Sequence, residues 1–334
     1  MGGGVAFEGG VGQVEMLMRT NIFALVGGGL DPQFSPVKAV VWDDRVEGNV
    51  TLEFEAKTLV RRVALGRNHV VVVLAHMVRV YSFEKAPQLL AEYETWPNTE
   101  GLVALSPASS SNLLVFPGKT AGWIRQVDLG GDLSVATQFK AHEHDLAFLQ
   151  LNGSGTVLAT ASSEGTLIRV WDTKTGHKLH ELRRGSSKES ITSIAFNYDS
   201  SQIAVSSLKG TIHVFSTDTE SGSSSSSHPT TEHGGDPTDS GTAAASPNTR
   251  SFFSPLVGLL PKALTPSYFT SEWSIVQFRM GAPIATRLAF GPEPNVLYAV
   301  GMDGSYSKLR FDFEAAVVER EDYEHNYLAL DSDL

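Results

Sequence analysis

Glycine recurs along this chain at a nearly constant interval, and that interval constrains the fold more than any other feature. In LNGSGTVLATASSEGTLIRVWD (151–172) and FNYDSSQIAVSSLKGTIHVFS (196–216) the same series appears twice. A polar turn leads into an apolar run, a stretch of small residues, a Gly-Thr turn and an alternating apolar run. Gly165 and Gly210 stand 45 residues apart. A third copy, FGPEPNVLYAVGMDGSYSKLRFD (290–312), places Gly304 94 residues after Gly210. Between them lies a low-complexity stretch, 218–267, of 50 residues; without it the gap is 44 and the period returns. That stretch therefore reads as an insertion inside one repeat.

Toward the N-terminus, SSSNLLVFPGKTAGWIRQVDL (109–129) turns at Gly122, 43 residues before Gly165. NHVVVVLAHMVRVYSF (68–83) and NIFALVGGGLDPQFSPVKAVVWDD (21–44) are earlier copies with altered turns. Six units result, each about 40–45 residues long and rich in β-branched and aromatic residues, while helical periodicity is nearly absent. An all-β propeller of about four strands per blade has this signature. Each blade would bury its faces against its neighbours, so the ring is expected to close. A pair of β-sandwiches is the alternative architecture.

The 334 residues, 41% of them apolar, suffice for one large all-β domain over 1–334. With no cysteine, disulfides and cysteine-based metal sites or nucleophiles are excluded. No apolar run approaches the roughly 20 residues that cross a bilayer, and MGGGVAFEGG has neither the charged region nor the apolar core of a signal peptide. The chain is expected to be cytoplasmic and monomeric in solution. A net charge of −11 argues against nucleic acid as a partner.

Several motifs resemble chemistry without the context it needs. PGKT (117–120) lacks the earlier glycine of a phosphate loop, with Leu113 in its place, and a strand follows it. The triple glycine at 27–29 runs into a Pro-rich loop. AHEHD (141–145) brings His142, His144 and Asp145 close together, but no second ligand cluster accompanies them. No cofactor, no metal and no enzymatic activity are expected, because no nucleophile–base pair stands out.

Arg183 and Arg184, in HELRRG, are adjacent at a predicted strand end. Neighbours on an extended strand point to opposite faces, so the two guanidinium groups would serve two separate positions. A buried guanidinium needs an anionic partner. That partner is either a carboxylate of the chain, such as Glu164, Asp172 or Glu181, or the phosphate of a ligand. His142, Ser162, Thr166 and Arg169 lie in one flanking repeat; Ser206, Ser207, Lys209, Thr211 and His213 lie in the other. Over 161–215, seven basic residues face five acidic ones, a local reversal of the overall charge.

ELRRG, with GTLIRVWDT before it and SSLKGTIHVFS after it, resembles the signature of the PROPPIN (WIPI) family of autophagy propellers. VEMLMRTNIFALVGGG with FSPVKAVVWDD (14–44), NLLVFPG (112–118) and SEWSIVQFR (271–279) extend the resemblance from about Val11 to Phe313. It is most like the WIPI3/WIPI4-type branch. The resemblance implies a seven-bladed propeller that binds phosphatidylinositol 3-phosphate and phosphatidylinositol 3,5-bisphosphate at two sites. The first would use His142, Ser162, Thr166, Arg169 and Arg183; the second, Arg184, Ser206, Ser207, Thr211 and His213. Family members carry a further blade before the segment matching VGQVEMLMRTN. Only ten residues precede Val11 here, so the N-terminal blade is expected to be missing or incomplete.

The insertion ends in RSFFSPLVGLLPKAL (250–264), too short to span a bilayer. Phe252, Phe253, Leu256, Val257, Leu259 and Leu260 are expected to dip into the membrane as a contact over 251–264, the role this loop has in the family. Packing against the propeller side is the alternative. Phosphorylation of the serine tract 223–227 would add negative charge and oppose an anionic surface. The resemblance also implies a protein partner, the large autophagy lipid-transfer protein of the Atg two type. Its docking loop would be GGGLDPQFSPVK (27–38), with Pro36 and Lys38 as candidates. The expected location is peripheral, on preautophagosomal, endosomal and vacuolar or lysosomal membranes. The rival function is a protein-binding propeller scaffold without lipid specificity.

Overall fold

The computed structural model describes residues 7–45, 50–108, 110–217, 271–281 and 283–324. All regular structure among them is β. The insertion 218–267, with Phe252, Phe253, Leu256, Val257, Leu259 and Leu260, lies outside the described residues.

The chain divides into two compact units, Met1–Ser163 with Trp171–His177, and Glu164–Val170 with Lys178–Leu334. The first unit contains three four-stranded antiparallel meanders. These are β1–β4 (Val11–Met16, Ile22–Gly27, Lys38–Asp43, Val50–Glu55), β5–β8 (Arg62–Leu65, His69–Val73, Met77–Ser82, Leu89–Glu94) and β9–β12 (Ala104–Leu105, Leu113–Pro117, Trp123–Asp128, Thr137–Lys140). The hairpin β13–β14 (Leu146–Leu151, Val157–Ser162) follows. Residues of β15 (Leu167–Asp172) fall in both units.

The second unit holds β16 (Lys178–Arg183), which takes β20 (Glu272–Trp273) as a parallel neighbour. A four-stranded sheet follows, built from β17 (Ile191–Phe196), β18 (Gln202–Ser207), β19 (Thr211–Ser216) and β21 (Val276–Arg279). The last meander is β22–β25 (Thr286–Phe290, Val296–Gly301, Tyr306–Asp312, Val317–Glu324). β21 pairs antiparallel with β19, so a strand beyond the insertion completes the sheet begun before it.

Local chemistry explains the repeat. Gly122, Gly165, Gly210 and Gly304, whose spacing defines the period, all adopt positive φ, at 74°, 60°, 73° and 80°. Each sits in the turn between the second and third strands of its repeat, where a left-handed residue is needed and a Cβ would be strained. The preceding polar turns also match. Asn152 Oδ1 accepts the backbone N–H of Thr156 and of Val157, and 45 residues later Asn197 Oδ1 accepts that of Gln202. These are side-chain-closed turns, which asparagine favours.

The strands alternate or are wholly apolar according to burial. Met77–Ser82 alternates half-buried with buried, while Val70–Val73 is buried at every position. Neighbouring sheets bury these faces against each other. In the first unit Ala24, Val26 and Val41 pack with Val63, Val70 and Val72, and Val71, Val73 and Val78 with Leu114, Phe116 and Val127. In the second, Ile212, Val276 and Phe278 pack with Leu288, Leu297 and Leu309.

Candidate phosphoinositide-binding site

Arg183 closes β16, and Arg184 begins the junction to β17. Leu182, Arg183 and Arg184 are all buried, the arginines to 7% and 8% exposure. Burying an arginine is costly unless its donors are met. Arg183 Nη2 donates to Ser271 Oγ at 3.3 Å. Arg184 reaches different partners: its Nε donates to the Gly165 carbonyl at 2.9 Å, and its Nη2 to the carbonyl of Ser187. The Arg184 backbone N–H bonds the carbonyl of Thr166. The two side chains therefore meet different groups.

The carboxylates weighed as partners are engaged nearby. Glu164 pairs with Lys188 at 2.8 Å, and Asp172 Oδ1 accepts the backbone N–H and hydroxyl of Thr175. Glu181 takes Arg169 Nε at 3.0 Å and Lys178 Nζ at 2.8 Å. Burial pushes the Glu181 carboxyl up, but the hydrogen bonds from Lys178 and Arg169 outweigh it and hold the group below its ordinary value. For Arg184, the fork is closed by two carbonyls rather than a carboxylate, so its charge is solvated by dipoles without being neutralised. Burial lowers its pKa and Glu189 partly offsets that; a guanidinium stays charged at any physiological pH.

Four further candidates stand in the same unit as Arg184, on β18 and β19. In the β18–β19 register Ser206 faces Ile212 and Val205 faces His213. Ser206 Oγ donates to the Thr286 carbonyl at 2.8 Å and also meets Thr192 Oγ1, which ties β18 to β22. Ser207 is fully buried, and its hydroxyl has no hydrogen-bond partner among the described residues. Thr211 is buried and stands opposite Arg279 in β21. The His213 ring is buried, with Nδ1 3.1 Å from Ser274 Oγ. Lys209, in the turn, pairs with Glu189 at 2.8 Å.

His213 carries the clearest electrostatic signal. Desolvation, with the charge of Arg184 adding to it, pushes its pKa down to about 3. The folded state thus holds a neutral imidazole, while an unfolded histidine binds a proton near pH 6.5. The unfolded state binds more protons below that value, so this contribution is complete above pH 6.5 and is lost as pH falls toward 3. We expect a loss of about 2 kcal/mol between pH 7.5 and pH 5. His213→Gln should remove that share of the pH dependence, read by chemical denaturation at both pH values. Identical pH dependence in wild type and variant would contradict it.

The remaining candidates are distributed between the units. Thr166 and Arg169 belong to the second, Arg169 engaged with Glu181 as above. His142 and Ser162 belong to the first. Both are buried; His142 Nε2 lies 2.9 Å from Thr160 Oγ1, which also accepts the indole N–H of Trp171 at 2.9 Å. Ser162 faces Leu146 in the β13–β14 register.

The candidate partner loop, 27–38, is closely packed. A Cβ on Gly27 would lie 1.6 Å from the Phe34 carbonyl oxygen, and the Phe34 ring meets Trp42 edge-on. The Pro36 carbonyl accepts the Val60 N–H, and Lys38 Nζ pairs with Glu53 at 3.0 Å. Sequence reasoning gave no role to Ser271 and Ser274. Both occur in SEWSIVQFR, the block already matched, but they stand 88 and 61 residues from the side chains they contact.

The PROPPIN family profile matches residues 43–237. SVP1-like protein 2 of Pichia angusta is 36% identical over 278 residues, which cover 82% of this chain and 70% of that protein. Autophagy-related protein 18e of Arabidopsis thaliana is 34% identical over 324 residues, covering 96% of this chain and 77% of its own. Across the relatives compared, the chain spans 51–77% of their length. Kluyveromyces lactis Hsv2 superposes with a TM-score of 0.69 at 22% identity, over 94% of this chain and 86% of that one. That likeness is one of fold, a β-propeller of the PROPPIN type. The profile match over more than half of the chain, together with 34–36% identity to these relatives over most of its length, makes the chain a member of the PROPPIN family.

Proposed function

We propose that this protein is a non-enzymatic phosphoinositide effector that reads 3-phosphorylated inositol lipids on autophagic and endosomal or vacuolar membranes. The observation that carries the reading is Arg184: a buried guanidinium whose partners are carbonyls, beside a histidine that its charge helps to keep neutral. Glu189 offsets that charge only in part and is itself shared with Lys209, so a phosphate would complete the neutralisation. Thr211 and Ser207, on β19 and β18 of the same unit, would supply hydroxyl donors. Family membership and the autophagy-related name of the Arabidopsis relative support the biological setting.

In this reading Arg183, Arg169, Thr166, His142 and Ser162 form the first head-group site, and Arg184, Ser206, Ser207, Thr211 and His213 the second. Ser206 acts through the backbone it holds, since its hydroxyl is given to Thr286. Phosphatidylinositol 3-phosphate and phosphatidylinositol 3,5-bisphosphate are the lipids, and the insertion adds an apolar contact through 251–264. The partner is a large lipid-transfer protein of the autophagy machinery, met at loop 27–38 through Pro36 and Lys38. Lys38 would have to exchange Glu53 for a partner carboxylate.

Flotation with liposomes tests the lipid reading. The folded protein should float with vesicles containing phosphatidylinositol 3-phosphate and stay behind with vesicles lacking it. A scaffold that binds only proteins would ignore the 3-phosphate in both.

A further inference from the structure

The segment Ser271–Ile275 joins the neighbourhoods of Arg183 and His213. Ser271 Oγ accepts from Arg183 Nη2 at 3.3 Å and lies 3.4 Å from Glu181 Oε1. Three residues on, Ser274 Oγ lies 3.1 Å from His213 Nδ1. Both serines are buried. Between and beyond them the backbone is fixed. Glu272 and Trp273 form β20, with Leu182 opposite Glu272 and Arg183 opposite Trp273, and Ile275 N–H bonds the Val214 carbonyl at 2.9 Å.

This anchoring leaves two large apolar side chains on the surface. Trp273 is 38% exposed and Ile275 37%. The charged residue between the serines, Glu272, is turned to His180, with Nδ1 and Oε1 3.0 Å apart. An exposed tryptophan and isoleucine on a rigid strap, next to two buried arginines, match what a lipid interface accepts. The indole places an apolar body in the acyl boundary and its N–H among head groups. Arg183, opposite Trp273 in the β16–β20 register, is a cation suited to the phosphate layer.

We propose that Ser271–Ile275 is a membrane-facing strap. Its serines hold Arg183 and His213 in position, and its Trp273 and Ile275 enter the interface of the membrane whose head group those residues bind. The inference rests on the head-group reading above. The strap links two weak head-group contacts to an apolar one on a single rigid element, so the three act together.

The test separates the two readings by using two probes on the full chain. One is the water-soluble head group of phosphatidylinositol 3-phosphate, followed by calorimetry. The other is phosphatidylcholine vesicles containing a few per cent of the intact lipid, followed by flotation. Trp273→Ala/Ile275→Ala should bind the soluble head group within about twofold of wild type and lose about tenfold or more in vesicle partition. Brominated acyl chains should quench part of the wild-type tryptophan emission, and Trp273→Phe should abolish that part. Equal vesicle binding by the double variant, or no difference in quenching between wild type and Trp273→Phe, overturns the strap while the head-group reading stands. A wild type that binds neither probe overturns both.

Discussion

Arg183→Thr/Arg184→Thr should abolish the proposed phosphatidylinositol 3-phosphate-dependent vesicle flotation, with the chain still folded. The expected size follows from what each guanidinium offers a phosphate. A charge-assisted hydrogen bond contributes about 1.5–3 kcal/mol, and a planar fork can make two to one phosphate. Losing one such group at each of two sites that act together should lower partition by a hundredfold or more. The variant also gives up structural bonds, from Arg183 to Ser271 and from Arg184 to Gly165 and Ser187. Each is worth about 1 kcal/mol, so unfolding should shift measurably without far-ultraviolet circular dichroism changing at 25 °C. Arg184→Thr alone should retain part of the binding, through Arg183 and its neighbours. A folded double variant that floats as well as wild type would show that the arginines are structural and would favour the scaffold reading.

Gly165→Ala should be among the most destabilising single substitutions in the second unit. Gly165 is buried with φ +60°, and an added Cβ would lie 1.7 Å from the Glu189 carbonyl oxygen. The left-handed conformation alone costs an alanine about 1 kcal/mol. The clash is with backbone, which cannot rotate away as a flexible side chain would. We expect a total of about 3–5 kcal/mol, in the range of mutations that strain both backbone and packing. The consequence reaches the site, because the Gly165 carbonyl holds Arg184 Nε and the displaced Glu189 pairs with Lys209. Gly153→Ala is the control: it is exposed, a Cβ there meets nothing within 4 Å, and its effect should stay within about 0.5 kcal/mol. Denaturant titration of both variants decides it. Comparable stability of the two would show that the junction between β16 and β17 yields more easily than its geometry indicates.

Much of the architecture was legible before any coordinates, and for an identifiable reason. Gly122, Gly165, Gly210 and Gly304 mark the repeat because each needs positive φ at one turn, and glycine is the residue that accepts it without strain. The insertion was legible because it interrupts that count; β21 resumes the sheet after it. That Arg183 and Arg184 meet different partners agrees with the separate positions expected of adjacent residues at a strand end. Less legible were the groups each guanidinium meets: Arg184 donates to the carbonyls of Gly165 and Ser187, and Arg183 to the hydroxyl of Ser271, 88 residues away. Lys38, considered for a protein partner, is engaged with Glu53 on its own sheet.

The sequence by itself determined strand periodicity, turn chemistry, the repeat and the position of the arginine pair. Those are set by interactions within a few residues, so a local pattern encodes them. Tertiary structure alone decided that Ser271 and Ser274 reach Arg183 and His213, that β20 runs parallel to β16, and that His213 is neutral. Each depends on which strand edges meet and in what register. That outcome comes from packing residues 60 to 90 positions apart, and nothing in a short stretch of sequence specifies it.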